Sequence, residues 1–391
     1  MSDVPTLALI RDLIGFPTVS KNPNKDLLDY VARYLDRYGV AFEILWNADY
    51  SKGNLWATIG PADVPGVILS GHSDVVPAEG QTWTSDPFVM RLDDNRIYGR
   101  GACDMKGFIG AVLAAVPDLV TRDLKAPVHI ALSYDEEVGC TGVGSLLTRL
   151  ADLTVKPALC IVGEPTGMQV VVGHKGVGMY EVSVTGKSAH SSRAPEAVNA
   201  IEHAADIIAY IKDISRHHAD AGPRDHEYDI CHSTISVTTI NGGTALNIIP
   251  GDCTFHFDIR ALPDLEMDKI IAQLERYLEA KVIPKMKAIC PDSTVVVKPL
   301  VEVPALGTDP RHPGVTFVKN LVQRNDHGKV AFGTEASLFS GKAGIVSVVC
   351  GPGSMEQGHK ADEYLELAQL ELCREMIGRL AGELEKSRLP W

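Results

Sequence analysis

The chain has 391 residues, 45% of them hydrophobic and 22% charged, a balance typical of globular proteins and a length that fits two domains or one core with an insertion. Its 37 basic and 50 acidic residues give a formal charge of −13, which argues against a nucleic-acid surface, because phosphate binding needs clustered Lys and Arg. The longest strongly apolar run, at 108–116, is well short of the roughly 20 residues of a membrane span. Met1-Ser2-Asp3 lacks the basic flank of a secretory signal, and the 8 cysteines form no CxxC, so they read as reduced side chains of a cytoplasmic protein.

In chain order, Leu7, Ile10, Leu13 and Ile14 recur at helical spacing until Pro17. A second helix is predicted over 25–38, with Leu27, Leu28, Val31 and Leu35 on one face and Gly39 at its end. Strands are predicted at 67–69, 128–132 and 159–162, alternating with helices at 107–116 and 142–153. That alternation points to a mixed, mostly parallel α/β sheet, whose ligands gather beyond the C-terminal strand ends. From about Gly176 the pattern changes to strand 178–185, helix 194–214, strands 233–240 and 253–261, helix 266–280 and strand 294–300. This β-α-β-β-α-β order is that of a ferredoxin-like α+β domain. Residues 216–228, rich in His, Asp and Arg, read as a mobile lid loop. Strands at 329–332 and 345–349 and a helix at 361–380 return to the first domain. The expected organisation is an α/β domain of 1–176 and 301–391 with an inserted domain of 177–300.

The informative residues follow those strands. Ser70-Gly71-His72-Ser73-Asp74 follows the first, Asp135-Glu136-Glu137 the second and Gly163-Glu164-Pro165-Thr166 the third. Asp104 precedes a helix, and His359 comes soon after Gly351-Pro352-Gly353-Ser354. Singly these are weak signals: a lone His-x-Asp is more often structural, and adjacent acids are usually a solvated turn. Together they would converge on one edge of the sheet, where their carboxylates would repel one another unless cations neutralised them. Two His with several carboxylates suit zinc, cobalt or manganese. Asp74 is placed to fix the His72 tautomer. Side chains of adjacent residues on extended backbone point to opposite sides, so Glu137 could bind metal while Glu136 faces the cleft as a free base.

The motifs Ser-Gly-His-Ser-Asp-Val-Val-Pro (70–77), Gly-Arg-Gly-Ala-Cys-Asp-Met-Lys-Gly (99–107), Asp-Glu-Glu (135–137), Gly-Glu-Pro-Thr (163–166), Gly-His-Lys-Gly (173–176), His-Ser-Ser (190–192) and Gly-Pro-Gly-Ser…His (351–359) lie in order along the chain. With them the sequence resembles the dinuclear-zinc M20 metallopeptidase and deacylase family, and within it the acetylornithine deacetylases. The resemblance covers essentially the whole chain. It implies two Zn2+ per subunit, with Co2+ as an alternative. His72 and Glu164 would complete one site, Glu137 and His359 the other, and Asp104 would bridge them, with a cis peptide at Asp104–Met105. Glu136 would be the general base and Asp74 the orienting residue. Glu164, where aminopeptidases of the family carry Asp, points to a deacylase or carboxypeptidase.

The resemblance also implies that the inserted domain is a lid through which a homodimer forms. His190 would stabilise the oxyanion in the other subunit's active site, while Asn247, Arg260 and Thr334 would contact substrate. Glu335 is an acid able to pair with a cationic substrate side chain. The implied substrate is an N-acyl amino acid, N2-acetyl-L-ornithine by preference, giving L-ornithine and acetate in arginine biosynthesis. The alternatives are succinyl-diaminopimelate desuccinylase, a broader N-acyl-amino-acid hydrolase and a dipeptidase. A non-enzymatic metal-binding scaffold has no need of Glu136.

Overall fold

A computed structural model describes residues 4–387 and Leu389, which divide into two compact units. The first holds the chain up to Gly173, Leu306–Lys329 and the chain from Thr334 on; the second holds His174–Ala305 and Val330–Gly333.

In the first unit, the strands Val128–Ser133, Val67–His72, Leu159–Pro165 and Val346–Gly351 lie side by side and run parallel. Nearly every residue in them is buried, which is why each reads as an apolar run rather than as an alternation. Gly53–Ile59 and Ala41–Trp46 continue the sheet antiparallel on one side, and Val171–His174 pairs antiparallel with Val346–Gly351 on the other. The sheet is therefore mixed and parallel at its centre. His72 stands opposite Ser133, and Ser70 opposite Val162, so the loops after all these strands open at the same end.

The helices Val4–Ile14, Gly107–Leu119 and Leu367–Lys386 pack together beside this sheet. Gly107–Leu119 is buried almost all round, and its small residues permit that. A Cβ at Gly110 would lie 2.4 Å from Ile10 Cγ1. Ile10 is itself fully buried, and truncating it to Ala should cost about 2–5 kcal/mol.

The second unit has a four-stranded antiparallel sheet in the order Thr234–Gly242, Asp252–Ala261, Gly176–Thr185, Thr294–Val303. With helix Ala200–Ala221 after its first strand and helical segments from Met267 to Ile289 before its last, it has the ferredoxin-like order. Asn199 starts the long helix, accepting from the N–H groups of Ile201 and Glu202 at 3.1 and 3.3 Å. Cys253, Phe255, Phe257 and Ile259 alternate inward and meet Ile207, Ile211 and Ile214 of that helix.

Three expectations are corrected. The helix predicted to end at 214 continues to Ala221, because nothing breaks it before Gly222-Pro223. Residues 216–228 are thus not one loop, and Tyr228 at their end is buried. The closing helix begins at Leu367, because Tyr364–Glu366 is held as a strand against Arg96–Tyr98. No helix among the described residues is long and apolar enough to cross a membrane.

Candidate metal centre

His72 ends its strand with its side chain 1% exposed. Its Nδ1 lies 2.9 Å from the main-chain oxygen of Asp74. A carbonyl only accepts, so the proton sits on Nδ1 and Nε2 is the nitrogen left to ligate. The Asp74 carboxylate is farther from Nδ1, at 3.6 Å, so the tautomer is set by the Asp74 backbone before its side chain.

The Asp74 carboxylate has other partners. It accepts from Ser20 Oγ at 2.7 Å, from the N–H of Glu136 at 3.1 Å and from the N–H of Glu137 at 3.3 Å. The turn carrying these two glutamates is pinned at its start as well. Asp135 has a φ of 52° and pairs with Lys52 Nζ at 2.8 Å.

Asp104 lies between the two histidines, and the Asp104–Met105 peptide is cis. One carboxylate oxygen is 2.9 Å from His72 Nε2 and the other 3.0 Å from His359 Nε2. Glu137 meets His359 Nε2 at 3.1 Å, and Glu164 lies 3.7 Å from His72 Nε2. The ligand atoms of His72, Glu136 and Glu164 lie within 4.8 Å of one another, as do those of His72, Asp104 and Glu137. The glycine before Glu164 has a steric reason: a Cβ on Gly163 would lie 2.2 Å from the Phe108 ring. His359 differs from His72 in exposure, its side chain being 43% exposed.

The electrostatics follow from this crowding. Burial pushes the Glu136 carboxyl up to about 8; Glu137, Asp74 and Glu335 add to the rise and His72 opposes it. Burial likewise raises Glu164 and Glu137, and the Asp104 charge adds to both. Burial works against ionised Asp104 too, but the His359 and His72 imidazoles hold it below the usual carboxylate range. Hydrogen bonds to Asp104 and Glu137 raise His359 to about 10. Among the described residues, these imidazoles are the only cationic ion-pair partners of Asp104, Glu137 and Glu164. Oxygen and imidazole donors facing one another, with no Lys or Arg between them, fit a pair of divalent cations, which would take the place of the imidazole protons.

The remaining predicted residues fall as follows. Glu335 turns inward: its two oxygens accept from Ser70 Oγ at 2.7 Å and Ser133 Oγ at 2.6 Å. It ties two strand ends together, and its carboxylate is not offered to a cationic ligand. Thr334 is fully buried, and its hydroxyl accepts from Ala336 N–H at the start of Ala336–Ala343. In the second unit, His190 is exposed and its Nδ1 accepts from Ser192 N–H at 3.3 Å, which leaves the proton on Nε2 as a donor. Asn247 is exposed, and its carbonyl accepts from Ser191 N–H at 2.9 Å. Arg260 gives its Nε to Asp258 at 3.0 Å.

Sequence reasoning passed over several contributors. Cys140 donates its thiol to Glu136 at 3.2 Å. Glu363, 1% exposed, accepts from the N–H groups of Gly101, Cys103 and Asp104 at 3.0, 2.9 and 3.0 Å and from Arg100 Nη1 at 2.8 Å. An arginine between two glycines in a buried loop was the signal for Glu363, since such a charge needs an acid.

The chain is similar to acetylornithine deacetylase of Proteus mirabilis (strain HI4320), 32% identical over 385 residues with 96% of each chain covered. It is also similar to acetylornithine deacetylase of Photorhabdus laumondii, at 30% identity over 383 residues and again 96% of each. Its fold is similar to that of an M20 family metallo-carboxypeptidase from Sulfolobus solfataricus, with a TM-score of 0.75 and 17% identity over 99% of this chain and 100% of that one. Residues 68–383 match the peptidase family M20/M25/M40, and the chain belongs to that family of metal-dependent hydrolases.

Proposed function

We propose that this protein removes the acyl group from an N-acyl amino acid, with N2-acetyl-L-ornithine as preferred substrate and L-ornithine and acetate as products, a step of arginine biosynthesis in the cytoplasm. The observation that carries the chemistry is the placement of Asp104, whose two oxygens face His72 and His359 at 2.9 and 3.0 Å. In this reading His72, Glu164 and Asp104 hold one divalent ion, and Asp104, Glu137 and His359 hold another, with zinc preferred and cobalt able to substitute. The ions, when bound, lower the pKa of water and polarise the acyl carbonyl.

The chain supplies the rest. Glu136, whose buried and acid-crowded setting makes its carboxylate a stronger base, takes a proton from the attacking water as that oxygen bonds to the acyl carbon. When the amide C–N bond breaks, Glu136 passes the proton to the departing amine. Asp74 holds the Glu136-Glu137 turn in place through two backbone N–H groups. His190 would donate Nε2–H to the developing oxyanion, acting across a homodimer formed through the second unit. Asn247 and Arg260 would bind the substrate carboxylate, for which a guanidinium fork is suited. Thr334 would act through the loop it shapes.

The substrate preference is supported by the relatives at 30–32% identity. Its test is a comparison of kcat/KM for N2-acetyl-L-ornithine, N-succinyl-diaminopimelate and a dipeptide panel, with metal analysis on the same sample. Acetylornithine should be the fastest. Faster turnover of the succinyl substrate or of dipeptides would replace this assignment with a sister activity.

A further inference from the structure

His359 reaches the centre from an exposed segment, and its own backbone is unfavourable, with a φ of 58°. A left-handed conformation disfavours a non-glycine residue unless its surroundings hold it. The surroundings here are specific. Gln81 Nε2 donates to the His359 carbonyl at 3.0 Å. The Oε1 of the same amide accepts from Arg100 Nη2 at 2.5 Å.

Arg100 is fully buried, and Nη2 also reaches the Pro77 carbonyl, at 3.3 Å. Its guanidinium carbon lies 5.0 Å from the centre of the Trp83 ring. Nη1 donates to Glu363, the carboxylate that gathers three N–H groups of the Asp104 loop. A continuous polar chain therefore runs from the His359 carbonyl through Gln81, Arg100 and Glu363 to the Asp104 N–H. It joins two ligand segments far apart in sequence and touches neither ligating side-chain atom.

We propose that Gln81, Arg100 and Glu363 are positioning residues that set the spacing between Asp104 and His359, with Gln81 acting on the His359 ion alone and Glu363 on both ions through the shared aspartate. This rests on the dinuclear reading above. Ligand-orienting partners of this kind change metal affinity by roughly 10–100-fold when removed.

The test is equilibrium dialysis of the purified full chain against buffered free Zn2+, with Co2+ absorption as a second readout of ligand geometry. Wild type should bind two ions. Gln81→Ala should weaken one ion by roughly 10–100-fold and leave the other at wild-type affinity. Glu363→Gln should weaken both. A merely destabilised fold would not single out one ion, so the selectivity of Gln81→Ala separates positioning from general loosening. Gln81 is only half-buried, so Gln81→Ala carries the test if Glu363→Gln fails to fold. Two ions bound at wild-type affinity by folded Gln81→Ala would overturn this inference and leave the dinuclear reading intact. Fewer than two ions bound by wild type at saturating Zn2+ would overturn both.

Discussion

Asp74 accepts the main-chain N–H of Glu136 at 3.1 Å while Ser20 donates to its other oxygen at 2.7 Å, so the residue two positions after His72 holds the backbone of the proposed general base. Asp74→Ala removes the acceptor for both glutamate N–H groups and should lower kcat about 10–100-fold. Steady-state hydrolysis of N2-acetyl-L-ornithine checks this; an unchanged kcat would show that the turn holds itself.

Glu136→Gln should lower kcat by about 10²–10⁴-fold, the usual contribution of a positioned acid/base. Zinc stoichiometry measured on the same sample should stay at the wild-type value, because Glu136 is assigned no ligand role. Loss of an ion along with activity would move Glu136 into the ligand set.

Chelation should destabilise the protein. The centre gathers carboxylates whose only cationic partners among the described residues are two imidazoles, so ions bound there would favour the folded state. An ion at 100 times its Kd adds about 2.7 kcal/mol. A fall in Tm of roughly 5 °C or more is expected in a calorimetric scan with and without chelator. An unchanged Tm would count against the clustering.

His129 predicts a pH dependence away from the centre. Its ring stacks on Trp56 at 4.7 Å, its Nδ1 meets Thr58 Oγ1 at 3.0 Å, and burial lowers its pKa from 6.5 to about 4. The folded pKa lies below the unfolded one, so protonation favours unfolding. Its contribution is complete above about pH 6.5, is lost as pH falls toward about 4, and amounts to roughly 3 kcal/mol. Urea unfolding of wild type and His129→Gln across that window should show the difference shrinking as pH falls. A parallel pair of curves would refute the assignment.

The long helix starts at Ala200 behind the Asn199 cap rather than at the expected 194, whereas the central strands were legible because they are buried on both faces and read as bare apolar runs. The strand Tyr364–Glu366 was not: it is three residues long and exists only by pairing with Arg96–Tyr98, a contact that local pattern cannot show. At the candidate centre, residue types and order were readable because strand ends are where an α/β sheet presents its ligands. Orientation was not. Glu335 looked available to a ligand in sequence, yet both its oxygens are taken by serines on neighbouring strands. Arg100 between two glycines pointed to an acid such as Glu363, but the hold of Gln81 on the His359 carbonyl and of Glu363 on the Asp104 N–H was hidden, because hydrogen bonds to main-chain groups leave little trace in residue type.

The partners of Asp104 come from opposite sides of the inserted unit, His72 before it and His359 after it. During synthesis the ribosome must therefore finish the whole second unit, and then the Val346–Gly351 strand, before the last imidazole exists to meet its aspartate. A nascent or truncated chain ending before residue 359 has an aspartate with one histidine and no counterpart. On the proposed dinuclear reading such a chain would lack one ligand of the second ion, so a completed centre would mark a chain translated through both units.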